Sequence, residues 1–166
     1  MLHPIGRSDL ITSIWGLGPY DGPLGSLIRR CKYKPDHSIL EELCSLIQPN
    51  DFPWHAHHCI THVPTTPKRL FTRGFDQARA LAHTLAQQNT LVHQSYLKRL
   101  DPFSQGMRSL EKRSAQLSYR YSCIRTPPTR IVLVDDVRTS GGTLDACAMS
   151  LLNHGCQEIH ALVLGY

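Results

Sequence analysis

The chain lacks most of the features that would reveal a function at a glance. It carries six cysteines (Cys31, Cys44, Cys59, Cys123, Cys147 and Cys156), yet no two are spaced as CxxC. A zinc ribbon made by this chain alone is therefore not expected. No apolar run approaches the roughly 20 residues that span a bilayer, so no membrane segment is expected. The opening "MLHPIGRSDLITSIW" shows no charged segment followed by an apolar core and a small-residue cleavage site. We read no signal peptide there and expect a cytoplasmic protein. GxxxxGK[ST] and GxGxxG are both absent, and "GLGPYDG" at 16–22 has the wrong spacing for a nucleotide loop. There is no internal repeat and no low-complexity tract. Trp15, Trp54 and the tyrosines are scattered, which suits core or hairpin positions better than a base-stacking platform.

What is present fits an ordinary soluble domain. A length of 166 residues suits one domain with a sizeable core. Several cysteines sit among apolar residues, where a free thiol acts as a small hydrophobe; this reading is favoured over disulfides or metal. The net charge of +5 is unevenly placed. "RRCKYK" at 29–34 is basic. Residues 98–130 hold Lys98, Arg99, Arg108, Lys112, Arg113, Arg120, Arg125 and Arg130 against only Asp101 and Glu111, and no Lys or Arg follows Arg138. Such segments attract phosphates on a small molecule or a nucleic acid, and a plain solvated face fits equally well.

The periodicities alternate between strand and helix. "ILEELCSLI" puts Ile39, Leu40, Leu43, Cys44 and Ile47 on one helical face, with Asp36 placed to cap it. "CITHV" at 59–63 reads as a short strand stopped by Pro64. "FDQARALAHTLAQQ" repeats Phe75, Ala78, Ala82, Leu85 and Ala86 at helical spacing, with Phe75 and Leu85 expected in the core. "TRIVLVDD" is a continuous run rich in Val and Ile, as a strand covered on both faces requires. A helix stripe of Leu144, Cys147, Ala148, Leu151 and Leu152 follows, stopped near Gly155, and "EIHALVLGY" closes as a strand. This alternation implies a parallel sheet. The stretch 98–128 fits it worst, being polar, basic and broken by Pro102, Gly106, Pro127 and Pro128. Loops that long tend to be functional or mobile.

One constellation carries chemistry. Ligands of open parallel sheets bind outside the carboxyl ends of the strands, and Asp135 and Asp136 fall at such an end. Thr139, Ser140, Gly141, Gly142 and Thr143 then lead into a helix start. A helix N-terminus offers unpaired N–H groups and about half a positive charge. Glycines let the backbone curl around an anion, and hydroxyls add donors. The two carboxylates can accept hydrogen bonds from neutral hydroxyls or help hold a hydrated Mg²⁺. A phosphate beside sugar hydroxyls matches the set. The plainer alternative is an acidic turn before an ordinary capped helix. "HAHH" at 55–58, near His62, invites a metal reading that adjacent histidines seldom satisfy without a supporting scaffold.

"VLVDDVRTSGGT" resembles the phosphoribosyl pyrophosphate (PRPP) signature of the type I phosphoribosyltransferases. "YDGPLGSLIRRCKY" at 20–33, "VPTTPKRLFTRGFDQARALA" at 63–82 and "GCQEIHALVLGY" at the end resemble the competence protein F (ComF) family, over most of the chain from about Tyr20. The resemblance implies the type I phosphoribosyltransferase fold, a mostly parallel α/β sheet flanked by helices, as one domain over 1–166. Residues 1–34 would be a hairpin and helix extension, and 98–128 a mobile hood. It implies that Asp135 and Asp136 hold the ribose hydroxyls as the catalytic pair, with Mg²⁺ bound indirectly. Thr139, Ser140, Gly141, Gly142 and Thr143 would cradle the 5′-phosphate. Thr65, Thr66, Lys68, Arg69 and Arg73 would hold pyrophosphate, and Arg113 would serve in the hood.

The activity implied is transfer of a phosphoribosyl group to an unknown acceptor, linked to competence and DNA uptake. The alternative is a non-catalytic PRPP- or single-stranded-DNA-binding protein that meets other competence proteins. The oligomeric state stays open, a dimer included. The four-cysteine zinc finger that family members carry before the Tyr20 region is missing. Pro102 and Gln116 stand where the family has Thr and Asn. Thr139 replaces the carboxylate base of hypoxanthine–guanine relatives, so a purine acceptor activated by that base is not expected.

Overall fold

The computed structural model describes residues 2–33, 37–47, 51, 59–100 and 120–166. In chain order the elements are β1 (His3–Gly6), β2 (Ser13–Gly18), α1 (Pro23–Tyr33), α2 (His37–Ser45), β3 (Cys59–His62), α3 (Pro67–Arg73) and α4 (Gln77–Gln88). They continue with β4 (Val92–His93), β5 (Leu97–Arg99), β6 (Tyr121–Cys123), β7 (Arg130–Val137), a helix we number α5 (Gly142–Leu152), and β8 (Glu158–Gly165). Six strands form one sheet in the order β1-β2-β8-β7-β3-β4, parallel except for the antiparallel β1–β2 pair. This is the expected α/β architecture, a mostly parallel sheet flanked by helices.

β7 is central because its sequence lets both faces be buried. Ile131, Val132, Leu133 and Val134 have no accessible surface. Val132 and Val134 pack on one side with Ile60, Leu162 and Leu164 against Ile28, Leu43, Leu81 and Leu85 of α1, α2 and α4. Ile131 and Leu133 pack on the other with Ala161 and Val163 against Leu144, Cys147 and Leu151 of α5. Truncating one of these aliphatic side chains to alanine is expected to cost about 2–5 kcal/mol.

The helical stripes fall where the sequence places them, with one exception. Ile39, Leu40, Leu43, Cys44 and Ile47 are buried. In α4 the buried set is Gln77, Ala78, Leu81, Ala82, Leu85 and Ala86. Phe75 precedes that helix and is only half-buried, which corrects its assignment to the core. None of the six cysteines forms a disulfide, and five are buried. Burial, with Cys31 and Glu41 adding to it, pushes the Cys44 thiol up to about 12. Desolvation likewise raises Cys147. These thiols are packing groups.

The N-terminal segment does more than extend the domain. β2 enters the main sheet parallel to β8, with Ser13 opposite His160 and Gly18 opposite Gly165. Of the 98–128 stretch, the ends form a separate antiparallel ribbon, with Leu97 opposite Cys123 and Arg99 opposite Tyr121. Arg113, Pro102 and Gln116 lie outside the described residues, as do Asp36, Trp54 and the "HAHH" histidines. Among the described residues no helix is long and apolar enough to cross a membrane.

Candidate functional site

Two loops at the carboxyl ends of adjacent strands meet over one cleft. β3 and β7 run parallel side by side, with His62 opposite Val134. The Val63 amide continues the ladder by donating to the Val134 carbonyl at 2.9 Å. The chain therefore leaves β3 beside the point where β7 presents Asp135 and Asp136. Neighbouring residues on a strand face opposite ways, yet at this strand end both Asp135 and Asp136 line the same cleft. The Asp136 amide donates to Asp135 Oδ1 at 2.8 Å, which fixes the first carboxylate at the strand end.

The loop after β7 ends in an open helix start. Gly141 occupies the N-cap of α5 with φ of 82°, and among the described residues no side chain caps it. The left-handed conformation favours glycine here. A left-handed residue followed by a right-handed helical one forms a concave run of N–H groups suited to an anion. The first-turn amides of α5 add their partial positive charge.

The loop after β3 is held by caps at both ends. Thr66 is the N-cap of α3 and accepts from the Arg69 amide at 3.1 Å, with Pro67 at the first helical position. Gly74 closes α3 in the left-handed conformation, its amide donating to Leu70. Asp76 then joins the pieces. Its Oδ1 accepts from the Arg79 amide at 3.0 Å, capping α4, and its Oδ2 accepts from the Thr65 amide at 3.2 Å. Arg69 and Arg73 lie four residues apart on α3, one turn above each other.

The cleft has a volume of about 340 Å³ and is lined by both loops, within the range of small-molecule sites. Of the residues expected to act, Asp135, Asp136, Thr139, Thr143, Thr65, Arg69 and Arg73 line it together. Ser140, Gly141 and Gly142 lie in the loop between Thr139 and Thr143 but do not line it. Thr66 serves as a helix cap, and Lys68 is exposed on α3 outside the cleft wall. Arg113 cannot be placed, since it lies outside the described residues.

Several wall residues are given no site role by the sequence: Tyr20, Phe75, Asp76, Gln77 and Tyr121, whereas Arg99 belongs to the basic stretch expected to close over the site. Tyr20 follows β2, and a side chain at Gly25 would collide with the Tyr20 carbonyl, so the turn into α1 requires glycine there. The Arg29 guanidinium lies 5.3 Å from the Tyr20 ring centroid. Arg99 Nη1 donates to Tyr121 Oη at 3.1 Å. Burial, then Cys147 and Asp135, push the Tyr121 hydroxyl up to about 12 against the opposing pull of Arg99, so it is a neutral phenol at physiological pH. Tyr121 is a core residue of the β5–β6 pair and Tyr20 packs against the other core, as expected, and each also lines the cleft. The signal for Asp76 and Gln77 was present in "RGFDQA", which sequence reading singled out without giving either residue a role.

Beneath the β3 loop, His62 Nδ1 and His93 Nε2 are 3.1 Å apart. Burial and the neighbouring His62, His83 and Arg79 lower His93 to about 4, and burial lowers His62. Among the described residues no group of three or more His, Cys, Asp or Glu could hold a metal ion. The two carboxylates of Asp135 and Asp136 do suit a largely hydrated Mg²⁺ that takes its other ligands from a substrate.

No protein-family model matches the chain, and no curated protein matches it. A solved structure described as that of the allosteric regulatory enzyme of purine biosynthesis is similar, with a TM-score of 0.52 and 19% identity. The match covers 75% of this chain and 24% of that one, so the chain spans about a quarter of its length. The likeness is one of fold.

Proposed function

We propose that the protein binds PRPP and transfers its phosphoribosyl group to an acceptor, releasing pyrophosphate. The observation that carries this reading is the convergence of paired carboxylates, a hydroxyl–glycine loop at an open helix start, and Arg69 with Arg73 on one cleft. In it, Asp135 and Asp136 accept hydrogen bonds from the ribose hydroxyls. The loop from Thr139 to Thr143 binds the 5′-phosphate through backbone amides and hydroxyls. Thr65, Arg69 and Arg73 receive the pyrophosphate, with Arg99 beside them in the cleft wall.

The C1′–oxygen bond to pyrophosphate breaks as the acceptor's electron pair forms the new bond at C1′, and the acceptor releases its proton to solvent. Charge grows on the departing pyrophosphate, and Arg69 and Arg73 are placed to stabilise it. Mg²⁺, held through water by Asp135 and Asp136, would supply further neutralisation when bound.

The test is calorimetry with PRPP and Mg²⁺, followed by an assay for pyrophosphate release in the presence of candidate acceptors. Micromolar binding that is lost in Asp135→Asn with Asp136→Asn supports the site. Absence of heat and of any thermal shift with PRPP would sink it. The link to natural competence and single-stranded DNA is supported by the sequence resemblance alone. An oligonucleotide titration across a salt series checks it, because phosphate-backbone binding weakens steeply with salt.

A further inference from the structure

Arg138 departs from the apolar character of the run it terminates. It follows Val137 at the end of β7 and is the last Lys or Arg in the sequence. Its amide donates to the Gly165 carbonyl at 2.9 Å, which fixes the start of the loop. Its guanidinium folds against Gly141, the N-cap of α5. A Cβ placed on Gly141 would lie 3.3 Å from Arg138 Nε and 3.5 Å from Nη2. That Nε is buried and has no hydrogen-bond partner among the described residues. Arg138 is not among the cleft walls, so its charge stands behind the loop that Thr139 and Thr143 present to the cleft.

This placement is electrostatically unfavourable by itself. A cation beside the first turn of a helix opposes the positive end of the dipole. The first-turn carboxylate of α5, Asp145, accepts instead from Ser8 Oγ at 2.8 Å. The arrangement becomes favourable when an anion of more than one charge sits in the loop, because the guanidinium, the dipole and the backbone amides then act with the same sign.

We propose that Arg138 is a positioning and specificity residue of the phosphate loop. It props Gly141 in its left-handed conformation and biases the loop towards a doubly charged phosphomonoester over a singly charged phosphodiester. The proposal rests on the reading of this loop as the 5′-phosphate site.

The test compares wild type with Arg138→Met, which keeps the aliphatic stem, and Arg138→Lys, which keeps the charge. The probes are ribose 5-phosphate and its methyl phosphodiester, both read by calorimetry, together with the melting temperature of the ligand-free proteins. In Arg138→Met, ribose 5-phosphate is expected to bind about tenfold more weakly, with the preference over the diester reduced by a similar factor. The ligand-free variant should melt at or above the wild-type temperature, and Arg138→Lys should recover much of the affinity.

If wild type binds ribose 5-phosphate and Arg138→Met binds it within twofold with the same preference, the proposal is overturned while the site stands. If Arg138→Met instead melts several degrees lower and Arg138→Lys restores nothing, Arg138 is a structural clamp and the proposal is likewise overturned. If wild type binds neither ribose 5-phosphate nor PRPP, the reading of the site itself fails, and the role of Arg138 fails with it.

Discussion

Asp76 holds two parts of the site with one carboxylate, and its removal should be felt twice. Asp76→Ala deletes the cap of α4, where Oδ1 accepts from the Arg79 amide at 3.0 Å. Loss of such a cap costs about 0.5–2 kcal/mol. It also deletes the bond from the Thr65 amide to Oδ2 at 3.2 Å. Hydrogen bonds to charged groups contribute about 1.5–3 kcal/mol, and the lower end applies to this long, partly exposed one. The sum is roughly 2–3.5 kcal/mol, or a melting temperature lower by about 5–10 °C for a chain of this size. Asp76→Asn separates the two effects. Asn caps helices as well as Asp does, but its single oxygen cannot serve both donors. The local cap should survive and the Thr65 bond should be lost. Amide hydrogen exchange reads the difference, with Thr65 losing protection in both variants and Arg79 only in Asp76→Ala. If Asp76→Ala melts within about 1 °C of wild type and Thr65 keeps its protection, the carboxylate does not tie the loop to the helix, and the reasoning fails.

Other consequences can be checked directly. Gly141→Ala forces a side chain into φ of 82° and towards Arg138; a loss of about 1–2 kcal/mol is expected in chemical denaturation, and an unchanged midpoint would contradict the left-handed cap. His93 in the folded state lies near 4, below its ordinary 6.5. The unfolded chain therefore takes up a proton that the folded one refuses, and stability falls as pH drops from about 6.5 towards 4. His93→Gln should flatten that limb in melts taken across this range, and an unaltered slope would show that His93 does not cause it. Five of the six thiols are buried. A thiol reagent should modify Cys123 first in the folded protein and all six only after unfolding, whereas rapid reaction of Cys147 would refute its burial.

Much of the fold was legible because its strongest signals are local. The unbroken apolar run from Ile131 to Val134 suits a strand covered on both faces, and Leu144, Cys147 and Leu151 recur at helical spacing behind it. The same locality made Asp135, Asp136 and the loop from Thr139 to Thr143 readable as a unit. Arg69 and Arg73 were legible through their charge and the nearby "RGFDQA". Phe75 was misplaced because its spacing continues the apolar stripe of α4, although the Asp76 cap starts the helix after it. Thr66 and Lys68 belong to the same loop but do not line the cleft, Thr66 capping α3 and Lys68 facing solvent.

By itself, then, the sequence determined the central strand, the helices that cover it, the acidic pair and the phosphate-suited loop, since each is encoded by residues within a few positions of one another. The tertiary structure alone decided which parts share a cleft. Pairing of β3 with β7 brings Thr65 to within one strand of Asp135, although 70 residues separate them in the chain. Entry of β2 beside β8 delivers Tyr20, and the β5–β6 ribbon delivers Arg99 and Tyr121. Strand order is set by which apolar faces bury best against one another across the whole chain, and no local pattern records that choice.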